Sequence, residues 1–164
     1  MMTFALILHI FGVALGAGGA FMSDALFFHF LHRRDFSESN LKILRIGSRM
    51  VWTGLAVLFI SGLVLFWAHA DYYLHSSKFL IKMTVVLVIA INGMVFHRVH
   101  MKRMGKLASG LFVSGAISMT SWISVIVLGT LRSLSLSYFS LLGLYIILIT
   151  AASLIALAMR KKFL

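Results

Sequence analysis

Cysteine and proline are both missing from the 164 residues of this chain. Without cysteine there are no structural disulfides, no thiolate iron–sulfur or zinc sites, and no covalent haem attachment through a Cys-x-x-Cys-His sequence. Without proline no helix carries a proline kink. Charge is scarce, at 12% of residues, and acidic charge is scarcest: four Asp and Glu stand against 15 Lys and Arg. Globular chains are roughly 25% charged and 45–50% apolar. Here 61% of residues are hydrophobic and the mean hydropathy is +1.02. These values exclude an ordinary soluble domain and make the lipid bilayer the expected partner. The net charge of +11 does not mark a nucleic-acid binder. The basic residues form no single patch but alternate between loops, as a topology signal does.

Crossing ~30 Å of hydrocarbon takes ~20 mostly apolar residues. Five such runs occur, near Thr3–Leu31, Gly47–Ala68, Phe79–His97, Leu111–Leu131 and Tyr138–Met159. With short connections they fill residues 1–164 as one all-α transmembrane domain of about five helices. The first loop carries Arg33, Arg34, Lys42, Arg45 and Arg49. The third carries Arg98, Lys102, Arg103 and Lys106, and the tail carries Arg160, Lys161 and Lys162; the opposite side has only Lys78, Lys82 and Arg132. The positive-inside rule places the basic side in the cytoplasm, and an odd number of spans then places the N-terminus outside. A cleaved signal peptide would open on a positive segment with a short apolar core. Met1-Met2-Thr3-Phe4 is uncharged and the apolar run reaches Leu31, so an uncleaved first span is expected. Ser39 or Asn40 suits the N-cap of the second helix. Tyr72 and Tyr73, in the outer loop from His69 to Lys78, fit an interfacial aromatic belt.

Polar groups inside the spans carry the functional signal, since a charged side chain at mid-bilayer costs about 2.5–3.5 kcal/mol on the insertion scale. At 1.5 Å per residue, His9 lies roughly 9 Å below the outer edge of the first span and Lys82 roughly 5 Å below that of the third. Asp24 and Asn92 fall in the inner halves of the same two spans. At 100° per residue, Gly12, Gly16, Gly19 and Ser23 lie within roughly 80° of His9. This groove of small residues would admit either a neighbouring helix or a flat porphyrin. In the fourth span Gly110, Ser114 and Ser118 make a small-xxx-small packing face. The fifth is uncharged and reads as scaffold or subunit contact, the place for a homo-oligomer to form.

Seven histidines without cysteine point to non-covalent haem, for which imidazole is a common axial ligand. His9 and His29 are ~200° and ~30 Å apart on a straight helix, so a single outer haem is the simpler expectation. His9 would be one ligand and Lys82 or His69 the second. The i, i+3 pairs His29/His32 and His97/His100 at the inner ends would suit zinc or copper, or be interfacial histidines near headgroups. A cofactor-free transport subunit using Asp24, Asn92 and Lys82 as a polar path is an alternative. So is a structural accessory protein whose polar residues pair internally.

The segment "LHIFGVALGAGGAFMSDALFFHF" with its following basic loop, "SGLVLF" in the second span and "FLIKMTVVLVIAINGMVFHRV" in the third resemble the bacterial membrane protoporphyrinogen oxidase family of J type. They also resemble the related copper-resistance D membrane family. The likeness covers roughly His9 to His100 and departs at Ser23-Asp24-Ala25, where the oxidase family usually has a proline and a basic residue. It implies a small helical bundle of the bacterial inner membrane, binding haem b or a porphyrin, cytochrome b-like, and an oxidoreductase with a redox partner. On the same resemblance the family's first-helix histidine maps onto His9 and its third-helix lysine onto Lys82.

Overall fold

A computed structural model describes residues 1–33, 35–96, 98, 108–131 and 135–163. His97 and His100, with Arg34, Lys102, Arg103, Lys106 and Arg132, lie outside the described residues. The elements are α1 (Met2–Arg33), α2 (Glu38–Trp67), the short α3 (Ala70–Leu74), α4 (Ser77–Val95), α5 (Ala108–Thr130) and α6 (Tyr138–Phe163). There is no strand among the described residues. Five of the helices are long and apolar enough to cross a membrane, and the chain is an all-α, multi-pass membrane protein. It divides into two compact units, Met1–Tyr73 and Leu74–Leu164.

The first unit is a helical hairpin. The second helix begins at Glu38, nine residues ahead of the apolar run expected from Gly47, and carries Lys42, Arg45 and Arg49 on its first turns. The helix persists there because Leu44 and Gly47 continue its buried stripe, so the i, i+3 pattern outlasts the apolar composition. The N-cap is Ser37, whose side chain makes no capping bond, rather than Ser39 or Asn40. Asp35 organises the turn instead: its Oδ1 accepts from Ser37 N at 3.1 Å and its carbonyl accepts from Asn40 Nδ2 at 3.0 Å. Such Asx turns give the backbone a local partner ahead of a helix.

α1 and α2 meet along a seam of glycines. A Cβ added to Gly54 would lie 2.6 Å from Gly16 Cα and 2.9 Å from the Gly12 carbonyl oxygen. One on Gly12 would lie 3.0 Å from Leu58 N, and one on Gly19 would lie 2.9 Å from Met50 Cβ. A Cβ on Gly47 would run into Ser23 Oγ. Pairing 12 with 58, 16 with 54 and 19 with 47 and 50 makes the helices antiparallel. Small residues let two backbones touch, the main source of helix association in lipid.

The second unit packs α4, α5 and α6. One stripe of α4 is buried, Ile81, Val85 and Ile89 at i, i+4, i+8, the face period of a helix. Phe112 and Trp122 of α5 are almost wholly enclosed, and α6 contributes Leu141 and Tyr145. Much of α6, including Phe139, Ile147 and Leu154, is exposed, as a lipid-facing surface requires. Lys78 Nζ donates to the Leu131 carbonyl, so a cation closes the C-terminal end of α5, where unsatisfied carbonyls favour one.

Candidate functional site

The groove below His9 is filled by α2. Gly12, Gly16 and Gly19 are all buried, and their neighbours across the seam are backbone atoms of Gly47, Val51, Gly54 and Leu58 together with Met50 Cβ and Leu58 Cγ. Of the two occupants the sequence admits, it is the neighbouring helix that takes this space. Gly18, one residue off that face, has nothing within 4 Å of an added Cβ.

At the upper end of the seam stands His9. Its Nδ1 lies 3.1 Å from Ser61 Oγ, and an added Cβ on Gly62 would lie 3.5 Å from its Cε1. The ring therefore meets α2 along its Nδ1–Cε1 edge, and Gly62 lets it lie flush. Ser61 is 2% exposed, and its Oγ lies 2.6 Å from the Val57 carbonyl and 3.3 Å from that of Leu58. A hydroxyl has a single proton, and the short bond to Val57 uses it. Ser61 can then only accept from His9, which places the histidine proton on Nδ1 and the lone pair of a neutral ring on Nε2. A histidine with one nitrogen donating to a fixed acceptor has its tautomer and ring plane set in advance, the usual arrangement behind a metal-ligating imidazole. His9 was singled out in the sequence; Ser61, the first residue of the "SGLVLF" segment, was not.

The other candidates lie elsewhere. His69 is exposed in the turn after α2, with its N–H on the Phe66 carbonyl. It stands seven residues past Gly62, about 10 Å further along a helix axis. His29 is exposed on the last turns of α1, its ring 6.0 Å from that of Phe30; its proposed companion His97 is outside the described residues. Lys82 is half-buried on α4 in the second unit. No group of three or more His, Cys, Asp or Glu able to hold a metal ion occurs among the described residues.

Several polar side chains in the second unit join its helices. Asn92 donates from Nδ2 to the Ser114 carbonyl and accepts from Ser114 Oγ, both at 2.9 Å, a two-bond clamp between α4 and α5. Ser121 Oγ and Tyr145 OH lie 2.7 Å apart, joining α5 to α6, and Thr84 Oγ1 is 3.2 Å from Tyr138 OH, joining α4 to α6. Of the small residues expected to form a packing face on α5, Ser114 meets α4; Ser121, seven residues further on, meets α6.

Comparison of the chain with protein-family models, curated proteins and solved structures finds no match.

Proposed function

We propose that this multi-pass protein binds haem b or a related porphyrin at the end of the α1–α2 hairpin, through Nε2 of His9, in the bacterial inner membrane. The observation that supports it is the chain His9–Ser61–Val57 carbonyl, which holds an imidazole inside a membrane segment with its proton assigned to the far nitrogen. The donor chemistry fits an axial ligand. The glycine seam fits no porphyrin between the helices, so the group would lie against the hairpin's surface beside His9, and Gly12, Gly16 and Gly19 serve the hairpin itself. A bound haem would supply the one-electron chemistry that no side chain here provides. Ser61 orients the imidazole and fixes its proton on Nδ1, so that Nε2 faces the ligated side; Gly62 sets the ring plane. Electron transfer or porphyrin oxidation follows as the activity class. The unequal distribution of basic loops supports an outside N-terminus.

The test is the visible spectrum of protein purified from cells supplied with a haem precursor, with mass spectrometry of the extracted pigment. The expected result is a Soret band that His9→Ala abolishes and that Ser61→Ala retains with altered position or reduction potential. Colourless wild-type protein with no porphyrin in its extract overturns the assignment. A second reading is favoured by the internal pairing of His9, Asn92, Ser114, Ser121 and Tyr145: a cofactor-free accessory protein. In that case both variants lose stability and neither version carries pigment.

A further inference from the structure

Three buried polar side-chain atoms have no hydrogen-bond partner among the described residues: Ser23 Oγ, Asp24 Oδ2 and Trp122 Nε1. Two of them are adjacent on α1, in the half of the helix away from His9. Native interiors leave few such groups unpaired, and each calls for an explanation. Asp24 is also the one carboxylate within the apolar length of a described helix. Asp35 precedes α2, Glu38 opens it, and Asp71 lies on α3.

The basic residues of α2 turn away from the α1–α2 seam. The helix packed on this part of α1 is α2, whose Gly47 faces Ser23. Lys42, Arg45 and Arg49 of α2 are exposed, and by the helical wheel they lie roughly 140–160° from Gly47. Lys42 pairs with Glu38 at 3.6 Å, and no ion pair reaches Asp24 among the described residues. On α1 itself the nearest ionisable groups are His29, His32 and Arg33, five or more residues toward the helix end. A carboxylate charge with an enclosed, unpaired oxygen inside a membrane helix is unfavourable, and the group relieves it by taking a proton.

We propose that Asp24, with the Ser23 hydroxyl beside it, is a proton-binding site within the membrane. Intramembrane carboxyls of this kind serve proton relays. The inference stands apart from the haem reading, since Asp24 is fifteen residues, or about 22 Å, along α1 from His9. Dicyclohexylcarbodiimide is the probe. It reacts with a protonated carboxyl in an apolar setting: the acid proton moves to a carbodiimide nitrogen, the carboxyl oxygen bonds the central carbon, and an oxygen-to-nitrogen acyl shift leaves a stable N-acylurea. Full-length protein in nanodiscs is treated at a series of pH values and its peptides are analysed by mass spectrometry. At neutral pH, labelling of Asp24 is expected to exceed that of Asp35, Glu38 and Asp71 by about tenfold or more. It should decline as the pH rises, and Asp24→Asn should be unlabelled. An unlabelled Asp24, or one no more reactive than the other three, overturns the proposal. Protection by sodium but not by potassium at equal ionic strength also overturns it, in favour of a metal-cation site.

Discussion

Replacing Gly54 by alanine tests the central contact of the hairpin. The added methyl would stand 2.6 Å from Gly16 Cα and 2.9 Å from the Gly12 carbonyl oxygen. Both neighbours are backbone, so no side chain can swing aside. Restoring an ordinary carbon–carbon separation of about 3.5 Å requires α1 and α2 to part by about 1 Å at this crossing. A gap of that size forfeits a quarter to a half of the dispersion energy of each atom pair lining it. Overpacking of this kind costs typically about 1–3 kcal/mol, offset by up to about 1 kcal/mol from the better helix propensity of alanine. The net expectation is a loss of about 1–2 kcal/mol. Gly18→Ala, where nothing lies within 4 Å, receives the propensity gain alone and should be neutral or stabilising. The assay is reversible unfolding in mixed micelles by SDS titration, followed by circular dichroism. Gly12→Ala, whose closest neighbours lie at 3.0–3.2 Å, should fall between the two. If Gly54→Ala is as stable as Gly18→Ala, the backbone-to-backbone seam is refuted.

Asn92→Ala and Ser114→Ala should each destabilise the second unit, and their double-mutant cycle should show a coupling of about 0.6 kcal/mol and no more than about 1.7 kcal/mol, the average and maximum for interhelical bonds in lipid; strict additivity would dissolve the side-chain half of the clamp. Tyr145→Phe should destabilise modestly by leaving Ser121 without its α6 partner, while Ser121→Ala in that background should add little. Reporter fusions after Leu164 should behave as cytoplasmic, in line with the basic loops; activity on the far side of the membrane would reverse the assigned orientation.

Much of the fold was legible because a bilayer imposes a simple length and composition rule. The apolar runs mark five helices and their polar interruptions. Periodicity likewise picked out His9, the glycine face below it and the small-residue face of α5, since residues on one helix face follow from arithmetic alone. Partners do not. Nothing in the first span says that its glycines are filled by Gly47 and Gly54, or that His9 finds Ser61 rather than another hydroxyl, because a helix face is compatible with many opposing elements. Those contacts join residues 52 apart in the chain in the case of His9 and Ser61 and 22 apart for Asn92 and Ser114, and only the docking of one helix on another selects them. The start of α2 was missed for a related reason: Lys42, Arg45 and Arg49 read as loop by composition, yet Leu44 and Gly47 keep their stretch helical by packing. Sequence determined which residues are polar inside the membrane. Tertiary structure decided which of them are satisfied there, leaving Ser23 Oγ and Asp24 Oδ2 without a hydrogen-bond partner among the described residues.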